Sequence, residues 1–231
     1  MDGYGFNMIR VSVGTPATTC IIGIMAYYVR VLSTSPDCIP LSSLRAVLND
    51  HTLVEVPSNQ PNKPDLWSHL VLAHENGEEI AIIERNPVAP GSLGQENLNE
   101  LADGVTDCLP PSAAEWLAHY LPRVRCVYAF QLLAGLDHND GWKALTAVKN
   151  RIWSFAPAII QADNEGFSNE QGYHILWQFR ESVDGMWWMG VLRNGSWTHF
   201  EMDLANRKHR QAFFQGEVPD GVDVILRQWA N

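Results

Sequence analysis

Cysteine is scarce, positive charge is short, and no apolar run is long; each shortage excludes a class of protein. The four cysteines, Cys20, Cys38, Cys108 and Cys126, have no CxxC spacing. That argues against a zinc knuckle or a thioredoxin-type site, and four in 231 residues are too few for a disulfide scaffold. They read as reduced thiols of a cytoplasmic protein, with a Cys108–Cys126 pairing geometrically open. The longest apolar run, Cys20 to Val29, spans ten residues, against the roughly 18 or more needed for a membrane-spanning helix. No membrane role is expected.

Lys and Arg number 16 against 26 Asp and Glu, a formal charge of −10. Residues 1–115 hold 5 basic and 14 acidic side chains, so most of the imbalance lies there. Nucleic-acid binding rests largely on neutralising phosphates, and an acidic chain argues against it. The same balance suits a soluble surface and a basic partner. Common catalytic and cofactor motifs are also missing: no GxGxxG, no GxxxxGK[ST], no HExxH, no GxSxG, and no HxE with PCxxC. No cofactor is expected.

Core-forming residues are plentiful. The chain is 46% hydrophobic, with nine Trp, eight Phe and six Tyr, enough to exclude general disorder. Residues 1–24 read as a flexible N-terminal extension, and Met25 is an alternative natural start, because regular patterning begins directly after it. Strands are expected at Tyr27–Ser33, Thr52–Val56, Leu66–Glu75, Glu78–Arg85, Val124–Leu133, Ala158–Ala162, Tyr173–Phe179, Met186–Arg193 and Ser196–Leu204. Asn76-Gly77 and Asn194-Gly195 each suit a type I′ hairpin turn.

Helices are expected at Pro40–Leu48, after Ser92 and after Ser112, both in capping-box spacing (Ser92-x-x-Gln95, Ser112-x-x-Glu115). Gly141–Phe155 carries the stripe Trp142, Leu145, Val148, Ile152, with Asp140 able to cap it. Arg207–Phe214 reads as helical, and Val222–Trp229 as a closing element of undecided type.

The fold class is α+β. The element order suggests two packed halves, 25–115 and 116–231, each a mostly antiparallel sheet with helices on one face. A pseudo-duplication would explain this, with a β-α-β4-α order in the second half.

The segment Trp197–Asp203 is the most chemical. Strand alternation puts His199, Glu201 and Asp203 on one face. In the Asn194-Gly195 register Trp188 lies opposite Glu201 and Gly190 opposite His199, which gives a polar face bordered by Trp188 and Trp197, with space above Gly190. A His with two carboxylates suits a divalent metal or acid–base work; an amphipathic strand showing its polar side to water is the plainer reading, and no metal is expected. A second recognition element is the turn carrying Asp163 and Glu165, with Gln161 and Phe167 beside them. Asp137-His138-Asn139-Asp140 reads as a capping loop, and Arg207-Lys208-His209-Arg210 as a solvated helix face. His69 and His74 face opposite sides of a strand and pair across it with Glu84 and Glu79.

The function expected from these features is a soluble, non-enzymatic binding protein. It would recognise a protein partner or small ligand through the aromatic-rich polar sheet face: Trp188, Trp197, His199, Glu201 and Asp203, with Asp163 and Glu165. Bacterial toxin-neutralising proteins are a class that fits. The alternatives are a metal-dependent or acid–base enzyme using His199, Glu201 and Asp203, and a homodimer joined through exposed Trp residues.

Overall fold

The computed structural model describes residues 27–57, 66–179 and 183–225. In chain order these form β1 (Tyr28–Ser33), α1 (Leu41–Arg45), β2 (Thr52–Glu55), β3 (His69–His74), β4 (Glu79–Pro87), α2 (Leu93–Val105), α3 (Pro111–Tyr120), β5 (Cys126–Leu132), α4 (Asn139–Trp153), β6 (Ala158–Ala162), β7 (Gly166–Ser168), β8 (His174–Trp177), β9 (Met186–Arg193), β10 (Ser196–Asp203) and α5 (Arg207–Phe214). The proposed extension 1–24 and residues 226–229 of the closing element lie outside the described residues. Within the described part of that element, Val224 bridges to Phe200.

All ten strands form one sheet in the order β10-β9-β8-β7-β6-β1-β5-β4-β3-β2. Neighbours are antiparallel except β8 and β9, which run parallel through the single pair His174–Met189. The α+β class therefore holds, but the structure gives no support to a duplicated pair of halves. β1 is hydrogen-bonded to β5 on one side and β6 on the other, and β4 pairs with β5. Strands from residues 25–115 and 116–231 are thus interleaved, and the 115/116 division falls inside α3.

Helices cover both faces rather than one. Side chains alternate along each strand, so β1 sends Val29 and Val31 to one core and Leu32 to another. The first core is closed by Leu41 and Leu44 of α1 and by Ala144, Leu145, Val148 and Ile152 of α4. The second is closed by Leu98 and Val105 of α2 and by Ala113, Ala114, Leu117 and Tyr120 of α3. A third cluster, Met189, Val191, Phe200, Met202, Leu204 and Phe213, sits between the β9–β10 hairpin and α5.

Local chemistry explains most element ends and corrects several expectations. Ser92 caps α2, its hydroxyl accepting from the Gln95 amide at 3.2 Å. Ser112 does not cap α3, because Pro110 holds the extended cap position and Pro111 starts the helix. α4 starts at Asn139 behind His138, so Asp140 lies inside its first turn and binds Lys143 at 2.9 Å. Asn194 (φ 51°) and Gly195 (φ 77°) form the expected type I′ turn between Arg193 and Ser196.

The first hairpin differs from that pattern. Only Gly77 has positive φ (88°), the Gly77 amide bonds the His74 carbonyl, and the register slips so that Ala73 faces Glu79. This is a type I turn followed by a bulge. Leu70–Ile83 and Leu72–Ala81 still pair as expected. His74 does not pair with Glu79; its Nε2 lies 2.9 Å from the Gly135 carbonyl oxygen and its ring meets His138 edge-on.

Cys38, Cys108 and Cys126 are all free thiols, so the Cys108–Cys126 pairing is absent. No described helix is long and apolar enough to cross a membrane.

Gly94 shows how tightly α2 sits on the sheet. A Cβ there would lie 2.6 Å from the Asn86 carbonyl oxygen and 2.7 Å from that of Pro87. Gly to Ala inside a helix ordinarily stabilises by roughly 0.5–1 kcal/mol. Here the sign should reverse: Gly94→Ala is expected to lower stability by about 1–3 kcal/mol in urea unfolding, the usual range for a backbone clash in a packed core. An unchanged or higher midpoint would contradict this packing.

Candidate functional site

The β9–β10 hairpin places its side chains as the alternation predicts. Phe200, Met202 and Leu204 are buried, while Trp197, His199, Glu201 and Asp203 share the opposite face. Trp188 lies opposite Glu201 and Gly190 opposite His199. This is the side of the sheet on which α3 packs, because Trp197 meets Trp116 of α3 edge-on with centroids 5.2 Å apart. Trp116 in turn stacks on Tyr120 at 4.9 Å. Trp197 is therefore half-buried packing at the border of the face. Trp188 is half-buried and Glu201 exposed on it.

Space above Gly190 is filled, contrary to expectation. A Cβ on Gly190 would come within 3.3 Å of His199 Cδ2 and 3.4 Å of both Ile175 and Tyr173. The missing side chain is what lets the His199 ring lie down over the strand. That ring stacks on Tyr173 with centroids 3.8 Å apart and planes 10° from parallel. Trp188 flanks Tyr173 with centroids 6.3 Å apart.

Asn169 decides the state of His199. Its side chain is fully buried, and its Oδ1 accepts from the amides of Gln171 (3.1 Å) and Tyr173 (3.0 Å). The amide group is thus oriented, and its Nδ2 donates to His199 Nε2 at 3.2 Å. The Nε2 lone pair is spent accepting that bond, so neutral His199 carries its proton on Nδ1. Burial pushes the imidazole down to about 4, which keeps it neutral near pH 7. His199 therefore presents an N–H donor and no free lone pair.

Asp203 is half-buried and accepts from the Ala205 amide at 2.8 Å. His199, Glu201 and Asp203 lie on one face but do not converge. Among the described residues no group of three His, Cys, Asp or Glu side chains is placed to hold a metal ion.

Asp163 and Glu165 stand apart from this face, beyond β7 and β8, and each is engaged inside the protein. Asp163 accepts from Arg30 Nη1 at 2.5 Å and from the Tyr28 amide at 3.0 Å. The same Arg30 nitrogen donates to Gln161 at 2.6 Å, and its guanidinium lies 5.1 Å from the Tyr28 ring centroid.

Glu165 serves the opposite side of the sheet. It accepts from the Tyr27 hydroxyl at 2.6 Å and interacts with buried Lys149 of α4. Burial lowers the Lys149 amine to about 8 and raises the Glu165 carboxyl, while the charges of the two oppose both shifts. Reversing the charge at Glu165 would set a second cation beside buried Lys149, so it would act on the fold as well as on any surface.

His138 lies 3.4 Å from Glu78 and belongs to the loop beside the first hairpin. In the basic run at the start of α5, Asn206 caps the Lys208 and His209 amides, and Arg210 donates to the Leu204 carbonyl.

Sequence reasoning did not single out Asn169, Tyr173, Tyr27, Arg30 or Lys149. Lys149 had a signal: it follows Leu145 by four residues and lies on the edge of the apolar stripe of α4. Asn169 and Tyr173 had none, because their role depends on β7, a three-residue strand that no periodicity reveals. The chain matches no family model, no curated protein and no solved structure.

A histidine held below its ordinary value binds fewer protons folded than unfolded. Its stabilising contribution is whole above about pH 6.5 and is lost as the pH falls toward 4. His174, buried beside Phe179 and Trp187 and likewise lowered to about 4, acts in the same direction. Nitrogen-15 imidazole shifts should therefore show His199 as the neutral Nδ1–H tautomer from pH 7 down to about pH 5. A ring titrating near 6.5, or carrying its proton on Nε2, would contradict the Asn169 arrangement.

Proposed function

We propose that the protein is a non-enzymatic binding protein that recognises a protein partner through the face carrying Trp188, His199 and Glu201. The supporting observation is the neutral, oriented imidazole. With Nε2 occupied by Asn169 and the proton on Nδ1, His199 has no lone pair for a metal and none for taking a proton from a substrate. It is a fixed hydrogen-bond donor, half-buried and stacked on the Tyr173 ring. Trp188 supplies apolar area at low entropic cost, Glu201 an acceptor and a charge, and exposed Met186 extends the patch.

Such a mixture of aromatic anchor and placed polar groups suits protein recognition. The acidic balance suits a basic partner, and neutralisation of a toxin is one activity that would use it. Small ligands fit less well, because the space above Gly190 is occupied. Asp163 and Glu165 are not part of this surface, since their carboxylates are engaged by Arg30 and Tyr27.

The test is comparative capture from extract of the source cells, followed by reconstitution with the captured protein. Wild type should retain one partner, and Trp188→Ala should weaken that complex by about 30-fold or more, the size of an interface hot spot. Glu201→Lys should weaken it too, while Glu55→Lys on the far edge strand should not; both Glu variants should keep the wild-type unfolding midpoint, and Trp188→Ala should keep the wild-type circular dichroism spectrum. A partner indifferent to both Trp188→Ala and Glu201→Lys would overturn the reading.

A further inference from the structure

Between α2 and α3 lies a trough of about 860 Å³. Its floor is apolar and buried: Leu98 and Val105 of α2, Ala114 of α3, and Leu121 and Val124 beyond it. Its banks are exposed, including Ala102 on α2 and Ala118 on α3, so it is open along its length rather than closed as a chamber. Small residues on both banks keep the two helices low, which lets another helix approach closely. α2 has 13 residues and α3 has 10; at about 1.5 Å per residue the trough runs beside three to four helical turns.

The charge around it is mostly negative. Residues 93–120 carry Glu96, Glu100, Asp103, Asp107 and Glu115 and no Lys or Arg. Asp107 and Glu115 line the trough itself. Arg125 adds a positive charge to the lining while its Nη1 donates to the carbonyls of Pro122 (2.9 Å) and Val124 (3.0 Å), and the two carboxylates outnumber it.

We infer that this trough docks an amphipathic helix of a partner, with an apolar face at i, i+3/i+4, i+7 spacing and Lys or Arg on its flanks. An apolar floor asks for the apolar stripe, and Asp107 and Glu115 at the trough, with the acidic excess of α2 behind them, ask for the cationic flanks. A second copy docked trough to trough is disfavoured as occupant, because the carboxylates of the two copies would then face each other on chains of charge −10. The trough is separate from the His199 face, so the two proposals stand or fall independently.

The test is fluorescence anisotropy with a labelled synthetic helix of about 18 residues, long enough to span the trough, bearing Leu at that spacing and Lys on its flanks. Two reference peptides are needed: one with Glu in place of Lys, and one with the same composition but the Leu positions scattered round the helix. The Lys peptide should bind, more weakly as salt rises, and at least tenfold tighter than either reference. Ala118→Trp, which plugs the trough at an exposed position, should weaken binding at least tenfold, and Glu115→Lys should weaken it and flatten the salt dependence. Circular dichroism checks that both variants stay folded.

Equal binding of the scattered peptide would reduce the effect to charge and overturn the inference. So would binding unaffected by Ala118→Trp, or no binding at all. A dimer of the wild-type chain in native mass spectrometry that Ala118→Trp dissociates would assign the trough to a second copy and overturn it as well.

Discussion

The pairing of β1 on both of its edges is the constraint on which the rest of the structure depends. Six residues, Tyr28–Ser33, accept β5 along one side and β6 along the other. Between β5 and β6 the chain must leave the sheet and return, and α4 is that excursion, packed over the same strands through Leu145, Val148 and Ile152. β5 then holds β4, β3 and β2 on one wing, while β6 leads to β7 through β10 on the other. Because Val29 and Val31 face one core and Leu32 the other, this short strand also ties both helical layers to one scaffold. Polar groups at its open end lock the same region: Arg30 to Asp163 and Gln161 on one face, Tyr27 to Glu165 beside Lys149 on the other.

The candidate face inherits its order from the second wing. β7 is only Gly166–Ser168, yet it carries the chain into the loop where buried Asn169 is fixed by two backbone amides. Asn169 fixes the His199 proton, Tyr173 fixes the ring plane, and Gly190 leaves room beneath it. Three residues from three positions in the chain thus set one imidazole as a donor. Exchange of that donor for a catalytic base would need the Asn169 bond broken.

Much of this was legible in the sequence wherever the signal was local. The β9–β10 hairpin followed from Asn194-Gly195 and strict alternation, down to the pairing of Trp188 with Glu201 and Gly190 with His199. The α2 cap at Ser92 and the span of α5 followed from short-range rules as well. Non-local features were not legible. Asn76-Gly77 supports two turn types, and the bulge that decided between them sends His74 toward Gly135 rather than Glu79. Ser112 matches a capping box, but Pro110 and Pro111 set the helix start two residues earlier. Nothing in the order of elements says that β1 is sandwiched between strands roughly 95 and 130 residues further on. For the site, residue types and faces could be read, but Arg30 beside Asp163, Tyr27 beside Glu165 and Asn169 beside His199 are all distant in sequence.

The most direct measurement of the central claim is hydrogen–deuterium exchange of the protein alone and saturated with the partner it retains from source-cell extract. The account predicts slowed exchange on binding across Met186–Arg193 and Ser196–Asp203, with the 52–55 edge strand unchanged. Slowed exchange confined to other surfaces, with the β9–β10 hairpin unaffected, would contradict it.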